Sequence, residues 1–256
     1  MQKLIYPTKV MNITQNYNGA VSHKAESSGK PYAYPIDENC GSTGRGYFYA
    51  PCDLIVKRIY GVGNPGTNTI WLESTDKVEL ANGKKSYVTI RVTHPNDDTL
   101  KKYKVGQTFK QKTRLFLEGN DGRASGFHFH IEINTCKFKE LDGNGWVKNN
   151  KGAWVTSPNS IKPEEAFFVD KEFTKIVGSA GLKFKNLPDI KIKYYPKYTG
   201  KSNSFVDALE SMGIDSSFKH RSKIAKANGI SLYIGSAKQN ISLFSLLKQG
   251  KLKKEN

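Results

Sequence analysis

Two histidines separated by a single residue lie in the segment GFHFHIEIN, at positions 128 and 130. Because side chains alternate between the faces of a β-strand, a strand here places both imidazoles and Glu132 on one polar face. The opposite, apolar face is expected to carry Phe127, Phe129, Ile131 and Ile133. Neighbours on one face lie roughly 6 to 7 Å apart, so one imidazole can bind a metal while the other contacts the metal's water or a substrate.

Taken without other residues, this pair is equally typical of two surface histidines on a sheet. Glu132 by itself is more typical of a solvated carboxylate than of a partner to a metal ligand. A catalytic zinc site usually combines three protein ligands, often imidazole and carboxylate, with an open position for water. Two further candidates precede the first long strand, His23 in AVSHKAESSG and Asp37 in AYPIDENCG. Taken singly, His23 is typical of a histidine in a loop, and Asp37 is typical of an aspartate in a turn or at a helix cap.

Other patterns narrow the possible chemistry. No His-Glu-x-x-His segment is present, which excludes a thermolysin-like helix. The glycines of GVGNPG lack the following helix of a phosphate-binding loop and predict a hairpin turn. Three cysteines, Cys40, Cys52 and Cys136, are too few for a disulfide framework or a four-thiolate zinc site. We expect reduced thiols, with a Cys40 to Cys52 bridge as the alternative.

The elements that must position these residues follow from turn signals. Gly, Asn, Asp and Pro clusters separate short strand-like segments from residue 46 to 133 and predict a mostly antiparallel sheet. The segments are YFYA, LIVKRIYG, NTIWLES, KSYVTIRVTH, RLFLEG and FHFHIEIN. The segment IKPEEAFF predicts one helical turn that closes a domain of residues 1–170. Residues 171–200 mix strand-like pieces with Gly and Pro and are interpreted as a connector or small hairpin.

Three segments of residues 201–256 predict helices: NSFVDALESMG, DSSFKHRSKIAKANG and GSAKQNISLFSLLKQG. Each begins at a plausible Ser or Asp cap and ends at a glycine. Their apolar faces are expected to supply a small core of Phe205, Val206, Leu209, Met212, Phe218, Ile224, Ala225, Ile241, Phe244, Leu246 and Leu247, with His220 solvated. The expected fold class is α+β overall, a mainly antiparallel β-sheet domain followed by a small three-helix domain.

Composition and charge limit the classes of partner that the protein can bind. The 256 residues include 40 Lys plus Arg and 23 Asp plus Glu, a net charge of +17, and the mean hydropathy is −0.57. The charge favours a polyanion, and nucleic acid, anionic lipid and anionic bacterial wall polymers all qualify. Residues 171–256 contribute 17 basic and 6 acidic side chains. No stretch approaches the ~20 apolar residues that span a bilayer, and the first residues do not resemble a secretory signal.

The order of several motifs resembles a known family. ITQNYNG, RGYFYAPCDLIVKRIYG, RVTHPNDD and KVGQTFKQKTRLFLEGNDGRASGFHFHIEI follow one another as in the lysostaphin-type (LytM-like) zinc endopeptidases, which cut peptides of peptidoglycan. The resemblance covers about residues 10–135. The family usually places its first two ligands closer together than His23 and Asp37, which predicts an insertion within KAESSGKPYAYP.

Site roles follow from that resemblance. It implies that Zn²⁺ is held by His23, Asp37 and His130, and that His94 and His128 are the catalytic histidines. With two neutral imidazoles and one carboxylate, such a site keeps a net positive charge, and its zinc remains a strong Lewis acid.

The last domain resembles the small helical wall-binding modules of phage endolysins and autolysins. Together the resemblances imply a peptidoglycan hydrolase, most like a phage endolysin, that cleaves wall cross-links or stem peptides and lyses Gram-positive host cells. The implied partners are peptidoglycan and anionic wall polymers, with no specific nucleic acid. Lacking a signal peptide, such a protein would stay in the host cytoplasm until lysis.

Three alternatives stay open. One is a catalytically inactive member of the same fold that binds wall or regulates another hydrolase. Another is a basic helical bundle used for dimerisation. The third is a nucleic-acid-binding protein, suggested by charge alone. The oligomeric state and the bond that is cut also stay open.

Overall fold

The structure is a computed structural model. It describes residues 1–19, 23, 33–41, 45–63, 68–121, 124, 126–141, 147–148, 154–155, 159–188 and 193–255. The chain divides into two compact units, Met1–Leu187 and Pro188–Asn256. Most of the expected insertion within KAESSGKPYAYP, and part of the expected turn GVGNPG, lie outside the described residues. Within those residues, no helix is both long and apolar enough to cross a lipid bilayer.

The first unit consists mainly of short strands. They are β1 (Val10–Gln15), β2 (Ile36–Glu38), β3 (Tyr47–Tyr49), β4 (Leu54–Tyr60), β5 (Thr69–Ser74), β6 (Val78–Glu79), β7 (Lys85–Ser86), β8 (Thr89–Thr93), β9 (Thr108–Phe109), β10 (Arg114–Leu117), β11 (Phe129–Asn134), β12 (Val147–Lys148), β13 (Trp154–Val155), β14 (Phe168–Val169), β15 (Lys175–Gly178) and β16 (Lys185–Asn186). Its helical turns are α1 (Asp97–Leu100), a 3₁₀ turn (Phe138–Glu140) and α2 (Pro163–Ala166).

The main sheet has the strand order β15, β1, β2, β11, β8, β5, β4, β9. Along this order, each pair of adjacent strands from β1 through to β9 is antiparallel, whereas β15 pairs with β1 in parallel. The predicted antiparallel sheet and the α+β fold class are therefore confirmed. Strand β11, which carries the paired histidines, is hydrogen-bonded on both sides, to β2 and β8.

The core of the first unit lies under one face of this sheet. Phe129 is fully buried, and its ring meets the stacked rings of Phe48 and Phe116 edge-on at 5.9 and 5.8 Å. The expected apolar face of β11 is correct except at Phe127, which is 42% exposed. Phe127 precedes the strand, where alternation no longer applies, and the Arg45 guanidinium lies 4.1 Å from its ring centre.

Cys40 and Cys52 are buried thiols and not a disulfide, and Cys136 is also buried. Burial raises the pKa of the Cys40 and Cys52 thiols well above the usual range. Both therefore stay protonated at neutral pH and act as small apolar groups.

The boundary between the units differs from the expected one. Segment 171–200 is expected to be a connector or small hairpin, but β15 adds a strand to the main sheet and β16 pairs with β14. Tyr195 and Tyr198 belong to the core of the second unit. The segment is divided because its strand-like pieces pair with distant strands, which local sequence patterns do not record.

Asp53 connects the chain start to the turn before β10. Its carboxylate accepts hydrogen bonds from the Gln2 side chain at 2.8 Å, the Gln111 backbone at 2.9 Å and Lys110 Nζ at 2.6 Å. Burial alone would raise the pKa of Asp53, but these hydrogen bonds outweigh it and lower the pKa. A lowered pKa means that the ionised carboxylate stabilises the fold above the unfolded-state pKa of about 3.9, and that this is lost as pH falls through the folded-state value.

We expect Asp53→Asn to lower the free energy of unfolding by about 1 kcal/mol at pH 7, because the amide cannot replace the charged acceptor. The difference from wild type should shrink at pH 3. Urea unfolding followed by tryptophan fluorescence measures this unit selectively, since all three tryptophans lie at positions 71, 146 and 154. If the free energies of unfolding of Asp53→Asn and wild type differ equally at both pH values, the charge of Asp53 has no role in stability.

The second unit consists of α3 (Phe205–Ser211), α4 (Phe218–Ala227) and α5 (Ala237–Lys248). Ser204, Ser217 and Ser236 cap their starts through side-chain oxygens. The residues after the helices include Gly213, Gly229 and Gly250, which all have positive φ. The three predicted helices are confirmed, since serine caps and left-handed glycines are local signals.

Two residues that were expected in the core of this unit are exposed. Ile241 is 67% exposed and Phe218 is 53% exposed. In α5 the buried side chains are Leu243, Phe244 and Leu247, and Ile241 lies about 200° around the helix from Leu243. Phe218 is the first residue of α4, and its ring packs on Tyr233 at 5.5 Å.

The expected solvation of His220 is also wrong. Its Nε2 lies 3.1 Å from Tyr195 Oη and its Nδ1 lies 3.4 Å from Glu255 Oε1. The side chain is only 17% exposed, because the last residues of the chain pack beside α4.

Leu243→Ala should destabilise the second unit by about 2–5 kcal/mol, because it leaves a cavity at a fully buried position. Ile241→Ala is the matched control on the exposed face of the same helix, with an expected change within about 0.5 kcal/mol. Unfolding followed by circular dichroism at 222 nm reports mainly α3 to α5. Similar losses for both variants would contradict this assignment of faces.

Candidate metal centre

Asp37 and His130 are brought together by strand pairing. In the antiparallel register of β2 and β11, Asp37 lies directly opposite His130. Ile36 and Glu38, on either side of Asp37, are buried beneath the sheet, so the Asp37 side chain points to the same face as the histidines. Directly opposed residues on one face have Cβ atoms about 5 Å apart, which places both side chains within reach of one ion.

His23 completes a triangle of donor atoms. His23 Nε2 lies 3.2 Å from Asp37 Oδ1 and 3.2 Å from His130 Nδ1, and His130 Nδ1 lies 3.0 Å from Asp37 Oδ1. Among the described residues, these three form the group of His, Cys, Asp and Glu side chains that could hold a metal ion. Donors at about 2.0–2.1 Å around a tetrahedral zinc ion lie about 3.3 Å from one another, which matches the sides of this triangle.

The ring nitrogens outside the triangle are also hydrogen-bonded. His23 Nδ1 donates to the Asn16 carbonyl at 2.9 Å, and His130 Nε2 donates to Glu132 Oε1 at 2.9 Å. These bonds keep a proton on each outer nitrogen, so the inner nitrogens, His23 Nε2 and His130 Nδ1, can bind a metal once they release the protons that they share with Asp37. The residues present therefore fit a divalent cation.

The protonation of the donors follows from their mutual contacts. Burial would raise the pKa of Asp37, but hydrogen bonds from His130 and His23 hold it well below its usual range. Burial would lower the pKa of His130, but hydrogen bonds to Asp37 and Glu132 raise it. Asp37 is thus ionised at neutral pH, and protons compete with a metal for His130 as pH falls.

His128 and His94 stand beside the triangle. His128 Nε2 lies 3.9 Å from Asp37 Oδ1, and the rings of His94 and His128 are 4.8 Å apart. His94 Nδ1 donates to the Asp121 carbonyl and His128 Nδ1 to the Gly126 carbonyl, both at 2.8 Å. Each imidazole therefore keeps Nε2 as a proton acceptor.

The backbone at His94 is unusual, since its φ is +67° and left-handed conformations are uncommon outside glycine. His94 follows β8 directly, and this turn places its ring against His128. Burial lowers the pKa of His94. The imidazole is therefore neutral at neutral pH, as a proton acceptor must be.

All five sequence-predicted site residues thus converge, although their roles stay predictions. The interpretation of Glu132 as a solvated carboxylate is wrong, because it is 4% exposed and accepts from His130. The supporting carbonyls of Asn16, Asp121 and Gly126 have no sequence signal, since every residue carries a carbonyl. The contact between His130 and Glu132 did have a signal, because residues two apart on a strand lie on the same face.

Comparison with known proteins gives partial matches. No protein-family model matches the chain. Morphogenesis protein 1 of Bacillus phage B103 is 32% identical over 156 residues, which amount to 58% of this chain and 35% of that protein. The chain therefore spans about a third of the length of this relative.

Similar solved structures include a zinc-containing peptidase from Vibrio cholerae, at 22% identity and a TM-score of 0.33, covering 50% of this chain and 35% of that chain. The catalytic domain of lysostaphin from Staphylococcus simulans is 14% identical with a TM-score of 0.31, covering 62% of this chain and 86% of that chain. Scores this low do not establish a shared activity, so the interpretation of the site depends on its own geometry.

Proposed function

We propose that the first unit is a zinc-dependent endopeptidase that cleaves peptide bonds in bacterial peptidoglycan, in cross-links or stem peptides. The observation that carries this proposal is the triangle of His23, Asp37 and His130 donors with two further imidazoles beside it. Three donors leave a fourth position for water or substrate, as in catalytic zinc sites. When bound, zinc supplies Lewis-acid chemistry, which polarises a scissile carbonyl and makes a water molecule easier to deprotonate.

The chain's own residues supply the proton transfers. His128 accepts a proton at Nε2 from the attacking water, whose oxygen bonds to the scissile carbonyl carbon. Protonated His128 then donates from Nε2 to the leaving nitrogen, so the peptide bond breaks to a carboxylic acid and an amine. The hydrogen bond to the Gly126 carbonyl holds Nδ1 protonated throughout and fixes the ring direction. His94, neutral and in contact with His128, orients the attacking water.

The wall substrate is supported by the resemblance of the motif order to lysostaphin-type endopeptidases and by charge. Residues 188–256 contain 13 basic and 5 acidic side chains, and Leu232 and Ile234 are 83% and 76% exposed. A basic unit with exposed apolar side chains suits an anionic polymer such as teichoic acid. Tethering to an insoluble wall would raise the effective substrate concentration at the first unit.

The phage relative supports a phage context for the chain. That relative is a morphogenesis protein, which favours action at the virion, whereas the endolysin resemblance favours lysis of Gram-positive hosts from within. In the second case the protein would collect in the host cytoplasm before lysis. Antibody detection in purified particles distinguishes the two, since a lysis enzyme would be found in the lysate and not in virions.

The activity is tested by incubating the zinc-loaded full chain with purified Gram-positive walls and sequencing released fragments by mass spectrometry. New amino termini should form with zinc and not after chelation, and they would identify the bond. His128→Ala is the matched control, because it keeps all three proposed zinc donors. If the protein sediments with walls from a broad panel of Gram-positive bacteria but releases no new amino termini, the endopeptidase proposal is overturned. An inactive wall-binding protein is then favoured.

A further inference from the structure

A buried ion pair lies behind His130. Glu132 and Arg91 are register partners on β11 and β8, and Arg91 Nη2 lies 3.2 Å from Glu132 Oε1. Their side chains are 5% and 9% exposed. The same oxygen, Glu132 Oε1, accepts the hydrogen bond from His130 Nε2 at 2.9 Å. One carboxylate oxygen therefore joins the interior cation to the proposed metal ligand.

We infer that Glu132, held in place by Arg91, is a positioning residue that presents His130 Nδ1 to the metal. This inference rests on the proposed function. An imidazole on a strand can turn over about its Cβ–Cγ bond, and either ring nitrogen can carry the proton. Acceptance by Glu132 at Nε2 selects one ring orientation and one tautomer, and both are needed for Nδ1 to bind a cation.

Arg91 fixes the carboxylate in turn. It lies on a strand hydrogen-bonded on both sides, to β5 and β11, and its Nε donates to Thr93 Oγ1 at 3.4 Å. Burying a carboxylate beside a ligand aspartate is costly unless a cation compensates it, and Arg91 provides that charge. A purely structural ion pair would stabilise the sheet without changing the tautomer of His130 or the affinity for metal, which separates the two interpretations.

The test is zinc affinity, measured for the full chain by competition with a chromophoric chelator. Glu132→Gln should bind zinc ~10- to 100-fold more weakly than wild type, since loss of such partners typically costs that much. Glu73→Gln is the matched control. Glu73 lies on β5 of the same sheet, pairs with Lys57 at 3.7 Å and accepts from the Phe138 backbone, away from the histidines. Its substitution should leave zinc affinity unchanged.

A second variant and a second measurement guard against misfolding. Glu132→Asp keeps a negative charge for Arg91 but withdraws the carboxylate from His130, so it should also weaken zinc binding. Long-range ¹H–¹⁵N spectra of zinc-loaded protein should show His130 bound through Nδ1 and protonated at Nε2 in wild type, and a mixture of ring orientations in both Glu132 variants. Folded variants with wild-type zinc affinity and an unchanged ring orientation would overturn the inference.

These outcomes are distinguishable from failure of the proposed function. A wild type that binds zinc tightly but cleaves no wall would overturn the endopeptidase alone, and the Glu132 variants would still decide the positioning role. A wild type that binds no zinc would overturn both.

Discussion

His130→Ala is expected to abolish zinc binding and, with it, wall hydrolysis. The substitution removes Nδ1, which lies 3.0 Å from Asp37 Oδ1 and 3.2 Å from His23 Nε2, and leaves two donors. Losing one of three donors should weaken binding by ~10³-fold or more, because binding free energies of order 10 kcal/mol depend on the complete set. Zinc content per chain after dialysis against a mild chelator measures the first effect, and fragment release measures the second.

Two controls separate loss of metal from loss of fold. His220→Ala makes the same chemical change in the second unit and should keep full zinc content. Tryptophan fluorescence should remain that of a folded first unit in His130→Ala, since Phe129 and Ile131, which face the core, are untouched. A folded His130→Ala protein that retains one zinc per chain and cleaves walls would contradict the ligand assignment.

The elements around the site were predictable where short-range signals define them. Alternation along FHFHIEIN is a period-two pattern, so it indicated both the strand and the face that carries His128 and His130. Serine caps and terminal glycines indicated where α3, α4 and α5 begin and end. These signals depend on a few consecutive residues and need no knowledge of the rest of the fold.

Long-range pairing could not be predicted in the same way. Asp37 meets His130 because β2 pairs with β11 in one register, and a shift of one residue would turn Asp37 to the other face. That register depends on the complete sheet. The motif resemblance implied that Asp37 and His130 bind one metal, whereas alternation within either strand could not indicate that they meet.

The burial of polar groups could not be predicted from the sequence either. Glu132 was expected in solvent because a carboxylate on a polar strand face is usually hydrated, but Arg91 on the next strand compensates its charge. Similarly, β15 joins β1 through backbone pairing across more than a hundred residues, so the first unit extends past the expected boundary. In both cases the deciding partner lies on a strand that is distant in sequence.

His128→Ala should lower the rate of wall cleavage by ~10²- to 10⁴-fold, the usual contribution of a general acid or base, while leaving zinc content near that of wild type. His128 Nε2 lies close to the triangle, 3.9 Å from Asp37 Oδ1, but it is not among the three donors, and we propose that it transfers protons. This pattern differs from the one expected for His130, where metal and activity are lost together.

The comparison is sharpest when zinc content and cleavage rate are measured on the same preparations of wild type, His128→Ala and His94→Ala. His94 contacts His128 and touches no donor of the triangle at hydrogen-bond distance, so its loss should also spare zinc. A His128→Ala protein that loses its zinc would make His128 a ligand, and one that keeps both zinc and full activity would leave the proton transfers to His94. Because each result assigns a different histidine to a different task, zinc content and cleavage rate together determine the roles of His94 and His128.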